Sequence, residues 1–139
     1  MKLKWQYKDG EVSEKIPPMS VYGFVYELTL QDGKRYIGKK AFLGTTKKPL
    51  TIKELEARPS KRHKTWKSVT KESKWRDYTS SSKLFGSREV VEKRIVKLAK
   101  SKRHLSYLEA KFMFQADVLE DEKYLNENIM AKFYKGNLI

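Results

Sequence analysis

Phe24, Tyr26, Leu28 and Leu30 alternate with Val25, Glu27, Thr29 and Gln31, the period-two pattern of a half-buried strand. Asp32-Gly33 follows, a pair that turns a chain sharply, and then a second run, Tyr36-Ile37-Gly38. The pattern therefore predicts a β-hairpin over about Val21 to Lys40. Further on, Leu105, Leu108, Phe112, Ala116 and Leu119, extended by Met113, recur at helical spacing. They predict a helix over about Lys102 to Leu119, with Ser101 as its cap. Between these elements the pattern is ambiguous. Val91, Ile95, Leu98 and Ala99 fit one face of a helix, whereas Arg94, Val96 and Leu98 fit a strand.

The remainder is organised by breaks. Residues 1–20 read as an N-terminal extension, with a strand at Leu3 to Tyr7, ending at Pro17-Pro18. Lys47 to Ser73 is polar and interrupted by Pro49 and Pro59. Thr51 can cap a helical turn through Ala57, and the rest of this stretch is expected to be irregular until bound. A turn is expected at Thr79 to Ser82 and a last short element at Ala131 to Tyr134.

The register of the hairpin decides whether its two tyrosines can act together. A two-residue Asp32-Gly33 turn sets Thr29 opposite Tyr36 and puts the rings on opposite faces. A three-residue loop, Gln31-Asp32-Gly33 with Gly33 left-handed, sets Tyr36 opposite Leu28 and Gly38 opposite Tyr26. Both rings then share a face, and Gly38 leaves open space beside Tyr26.

Composition narrows the function. A chain of 139 residues fits one domain with a modest core. It has no cysteine, which excludes disulfides, thiolate metal sites and a cysteine nucleophile, and two histidines are too few for a histidine-rich metal centre. No apolar run reaches membrane-spanning length, and MKLKWQYKDG lacks the apolar stretch of a signal peptide, so a cytoplasmic protein without a membrane partner is expected.

A net charge of +14 on so short a chain points to an anionic partner. Between Thr45 and Arg76 stand eleven Lys and Arg against three Glu, which places +8 of that charge in one segment. Lys47, Lys48, Lys61, Lys64, Lys67 and Lys74 there are candidate phosphate contacts. Trp66, Trp75 and Tyr78, interleaved with them, offer flat faces for stacking.

The hairpin also carries a resemblance. Tyr36-Ile37-Gly38 matches the second half of the paired motif of the GIY-YIG nuclease superfamily, in a form similar to small phage homing endonucleases of the Seg type. The first half departs from the pattern, because Phe24 stands where glycine is usual and Gly23 lies one place earlier. Tyr26, Tyr36, Gly38, Glu109 and Asn126 occur in the family's order over about a hundred residues. The resemblance implies an α+β fold, a small three-stranded antiparallel sheet flanked by helices, with the third strand ending near Lys100. It implies a domain over residues 21–139 with a basic insert at about 45–76.

The resemblance further implies that Glu109, on the helix after the third strand, binds one Mg2+ or Mn2+, and that Asn126 is structural. Glu109 also fits a second description, because Ser106 to Glu109 spells a capping box. The superfamily's arginine is less plain. Lys74 and Tyr78 have the family's four-residue spacing, but the cation there is lysine; Arg62 and Arg76 are the arginines that could replace it, Lys40 lies close to the hairpin, and Tyr78 fits the aromatic position.

Tyr26 would then act as general base or hold the attacking water, assisted by Tyr36 and a nearby lysine, on double-stranded DNA, giving 5′-phosphate and 3′-hydroxyl ends. A phenol ordinarily titrates near 10 and needs surrounding cations to serve at neutral pH. Two other readings compete: a non-catalytic basic protein that binds RNA or DNA, and a nuclease fold that has lost activity with its arginine.

Overall fold

The structure, a computed structural model, describes residues 3–7, 10–11, 21–79 and 83–138. The Pro17-Pro18 break and Ser80 to Ser82 of the expected turn lie outside the described residues. The first strands, β1 (Trp5–Tyr7) and β2 (Gly10–Glu11), precede the long hairpin of β3 (Gly23–Leu30) and β4 (Arg35–Ala41). Next come β5 (Leu43–Pro49), the short helix α1 (Ile52–Ala57) and β6 (Trp66–Glu72). The chain continues through β7 (Val90–Ala99), α2 (Lys102–Gln115), β8 (Asn128–Ile129) and β9 (Phe133–Tyr134).

The main sheet has the order β2-β1-β7-β3-β4. Its centre is the expected antiparallel set β7-β3-β4, but β1 adds parallel to β7 and β2 pairs with β1, so the sheet is five-stranded and mixed. The apolar Trp5 drives this addition. It is buried against Phe24 and Tyr26, with ring centroids 5.0 and 5.4 Å away.

The β3–β4 loop has three residues. Leu30 N–H donates to Lys34 C=O at 2.8 Å, Gly33 N–H donates to Leu30 C=O at 2.9 Å, and Gly33 has φ +86°. Only glycine takes that conformation without strain. Tyr26 consequently faces Gly38 and Leu28 faces Tyr36.

Strand β7 explains its own ambiguous pattern. Val25 pairs with Lys97 while Tyr26 pairs with Ile95, and Thr29 pairs with Glu92 while Leu30 pairs with Val90. Val96 and Val91 are therefore extra residues that break the period of two. Ile95 and Leu98, three apart, end on the same apolar cluster and imitate a helical spacing.

The two sheet faces carry two cores. One gathers Trp5, Phe24, Tyr26, Leu28, Phe42, Trp75, Phe85 and Ile95, with Tyr36 and Tyr78 packed against it. The other, of Val25, Ile37, Ala99, Leu105, Met113, Val118, Leu119, Tyr124 and Ile129, lies under α2. Helix α2 starts as expected, with Ser101 Oγ accepting from His104 N–H at 3.1 Å, so Ser106 lies inside the helix and caps nothing. It ends at Gln115, four residues before Leu119, and Asp117 with φ +53° turns the chain so that Val118 and Leu119 are buried. No helix among the described residues is long and apolar enough to cross a membrane.

The basic insert is ordered, contrary to the expectation of irregular chain. Strands β5 and β6 pair antiparallel over seven positions, from Leu43↔Glu72 to Pro49↔Trp66, and form their own two-stranded sheet. Thr51 caps α1 at the far end in a capping box with Glu54. Alternating Thr, Ser, Val and Lys supply strand-compatible side chains without the apolar positions a core would need. None of residues 46–69 is buried.

Candidate active site

Strand β4 distributes the site by simple alternation. Tyr36, Gly38 and Lys40 face the tyrosine side of the sheet, and Ile37 and Lys39 face α2. On the first side Tyr26 is buried, 2% exposed, with Trp5, Phe24 and Tyr78 around its ring. A Cβ at position 38 would lie 2.5 Å from Tyr26 Cζ and against its hydroxyl. The space left by Gly38 is thus filled by the Tyr26 ring rather than open. The missing side chain lets the ring lie across β4 and carries its hydroxyl to the outermost strand of the sheet.

Tyr36 is half-buried with its ring edge-on to Phe85 at 5.3 Å. Tyr78 stands edge-on to Tyr26 at 6.1 Å, and Lys40 Nζ lies 4.4 Å from the Tyr78 ring centroid. The turn that brings Tyr78 here is tied down from below. Trp5 Nε1 donates to Trp75 C=O at 2.7 Å, and Lys93 Nζ donates to Arg76 C=O at 3.1 Å. Arg76 rests on the Trp75 ring at 4.4 Å, with Nε 3.4 Å from Glu72 Oε1, and is exposed to solvent.

Arg62 is elsewhere, exposed at the far end of the insert beyond α1, its N–H bonded to Ser60 Oγ. Of the two candidate arginines, Arg76 is the one on the turn beside the tyrosines.

Glu109 lies on the other side. From α2 its Oε1 comes 3.9 Å from Lys39 Nζ, which also donates to Ser106 Oγ at 2.9 Å. The Glu109 side chain is 20% exposed. Burial pushes its carboxyl above the usual range, and the Lys39 ammonium opposes that shift. The sheet therefore sets Tyr26, Tyr36 and Lys40 on one face with Tyr78 packed against Tyr26, leaves Arg76 on the adjoining turn with its guanidinium over Trp75, and holds Glu109 on the opposite face, across β4.

Asn126 works at that edge. Its Oδ1 accepts from Ile37 N–H at 3.0 Å and its Nδ2 donates to Ile37 C=O at 2.8 Å. One side chain thus does what a neighbouring strand would do, satisfying both outward groups of a buried edge residue. Arg35 is closed the same way by backbone bonds to Lys123 and Leu125, both 2.8 Å.

The candidate phosphate contacts Lys47, Lys48, Lys61, Lys64, Lys67 and Lys74 are all exposed, on the insert or at its base. Lys47 and Lys64 lie over the Trp66 ring at 4.3 and 4.5 Å, and Lys67 is held by both Glu54 oxygens at 2.9 and 3.0 Å.

A family model described as "Putative endonuclease segE, GIY-YIG domain" matches residues 5–129. The chain belongs to this GIY-YIG family. No curated protein and no solved structure matches it. Membership makes the chain a nuclease domain with DNA as its substrate, and the match takes in both the Trp5 strand and the Asn126 clamp.

Within this GIY-YIG domain, three residues that hold the site have no signal in the hydrophobic pattern. Trp5 stands in an apparent extension. Lys39 reads as one of many surface lysines. Lys93 is 1% exposed, with Nζ 4.5 Å from the Trp5 ring centroid, and burial lowers its pKa against the pull of Asp77. Its place on the inner face of β7 is readable only once the pairing Leu28↔Lys93 is known.

The donor set fits a single hard divalent ion in one respect. Among the described residues no three His, Asp or Glu converge, so Glu109 offers one carboxylate and the other ligands would come from water and phosphate oxygens.

Proposed function

We propose that this GIY-YIG domain is a divalent-metal-dependent endonuclease that hydrolyses phosphodiester bonds of double-stranded DNA, of the homing type found in phages. The observation that carries the reading is the register Tyr26↔Gly38, which sets both motif tyrosines on one face and sends the Tyr26 hydroxyl to the outermost strand. A DNA strand passing over the β4 edge would meet Tyr36, Lys40 and Arg76 on one side and Glu109 with Lys39 on the other.

In this mechanism the Tyr26 hydroxyl, as phenolate, takes the proton of a water that attacks phosphorus, with Tyr36 orienting that water. Lys40 favours the phenolate by its charge, and Arg76 binds the phosphate as negative charge accumulates on its oxygens. The P–O3′ bond breaks, leaving a 5′-phosphate and a 3′-hydroxyl that takes its proton from solvent. Glu109 would hold Mg2+ or Mn2+, whose chemistry is Lewis-acid polarisation of the phosphate and neutralisation of the leaving oxygen. Asn126 holds β4 in register beside Gly38.

Plasmid nicking by the wild type, Glu109→Ala and Tyr26→Phe, with Mg2+, with Mn2+ and with EDTA, tests the assignment, melting curves confirming that each variant folds. Cleavage should require the ion and be lost in both variants. Retained cleavage in both variants would overturn it.

A further inference from the structure

Among the described residues the paired strands β5 and β6 form a ribbon with no core on either side, because residues 46–69 include no buried side chain and the strands join no other sheet. An isolated two-stranded ribbon is marginal in water and needs a reason to persist. Its two faces differ. One carries Thr45, Lys47 and Pro49 with Trp66, Ser68, Thr70 and Glu72, and its base is anchored where Glu72 Oε1 accepts from Trp75 Nε1 at 2.9 Å. The other carries Gly44, Thr46 and Lys48 opposite Lys71, Val69 and Lys67.

No acid stands on the strands of that second face. Lys48 and Lys67 are directly opposite each other, a pairing that costs stability in a free protein. Glu54 relieves Lys67, but among the described residues no carboxylate pairs with Lys48 or Lys71. An anion laid along this face would remove the repulsion. Between the lysines sit Thr46 and Val69, directly paired: an exposed hydroxyl that can donate or accept, beside a half-buried pair of methyl groups. That combination suits base edges rather than phosphates, including the thymine methyl group.

The dimensions agree. Seven residues at about 3.4 Å each give about 24 Å, several base pairs, and a two-stranded ribbon fits the roughly 12 Å major groove of B-form DNA.

We infer that the β5–β6 ribbon is a DNA-reading arm that enters the major groove with Thr46 and Val69 toward the bases and Lys48 and Lys71, on the same face, toward the flanking phosphates. This rests on the reading of double-stranded DNA as substrate, and assigns site selection to the arm and bond cleavage to the β4 edge. A-form RNA, whose major groove is deep and narrow, would not admit the ribbon.

The test uses the full chain in EDTA, so that binding is read without cleavage, on short DNA duplexes with randomised centres sequenced before and after retention. Methyl green, a major-groove ligand, should displace the wild type, and netropsin, a minor-groove ligand, should not. Thr46→Ala with Val69→Ala should broaden the retained sequences. Lys48→Ala with Lys71→Ala should keep those sequences while making the slope of log affinity against log salt shallower by about 2. Displacement by netropsin alone, equal binding of single strands or RNA duplex, or unchanged sequences with the threonine–valine variant would overturn the arm's role. Glu109→Gln separates the two ideas, since it should retain the wild-type sequences. If the wild type cannot cleave yet shows this binding pattern, the nuclease mechanism falls and the arm stands.

Discussion

Glu109 holds its proton more tightly in the folded chain than in the unfolded one, because burial raises its carboxyl despite Lys39 nearby. The native state therefore binds more protons in that range, and the group's contribution to stability, complete below the unfolded carboxylate value, is lost as pH rises through the raised native value. Glu109→Gln cannot ionise. Its melting temperature should rise relative to wild type across that window and stay above it at neutral pH, while cleavage disappears; parallel melting curves over pH, with nicking assays, check both. Such a gain in stability with loss of activity is what a functional buried charge predicts. Gly38→Ala acts in the other direction. A Cβ 2.5 Å from Tyr26 Cζ must displace a buried ring, an overpacking worth about 1–3 kcal/mol, so denaturant unfolding should show that loss and cleavage should fall with it. The sequence identified the residue types at these positions, but the motif spacing carried no information about which face of the sheet Glu109 would approach.

At the level of elements, the β4 edge and the arm are the parts that can be tested separately. Asn126→Ala leaves the buried N–H and C=O of Ile37 without their amide partner, at about 1–3 kcal/mol for each group left unsatisfied. Urea unfolding should register the loss, and amide exchange at Ile37 should quicken. The arm should be dispensable for folding. Replacing residues 46–69 by an Asn-Gly turn between Thr45 and Thr70, which already pair, removes no buried side chain and should leave one cooperative melting transition close to the wild-type temperature. The hairpin was legible because turn chemistry and period-two alternation act over a few residues. Strand β7 was not, because two extra residues shift its alternation and only pairing with β3 reveals them. The arm's strands were hidden by the absence of an apolar face, since cross-strand hydrogen bonds and opposite side chains hold them rather than burial.

Over the whole molecule, charge governs association. Residues 46–69 contain eight Lys and Arg against two Glu, +6 of the total +14. Removing them should weaken DNA binding and flatten its salt dependence by about 0.9 in the log–log slope for every phosphate no longer neutralised, as titrations at several salt concentrations would show. What the sequence by itself determined was local or additive: the place though not the register of the β3–β4 turn, the Ser101 and Thr51 caps, the absence of thiol chemistry, the excess of cations, and the order of motif residues that places the chain among GIY-YIG domains. Tertiary structure alone decided that Trp5 belongs to the core, that Lys93 ties the Arg76 turn to the sheet, and that Glu109 faces the tyrosines from across β4. The physical reason is distance along the chain. Caps, turns and net charge depend on neighbours or on sums, whereas a face, a bulge or a buried cation is fixed by partners tens of residues away.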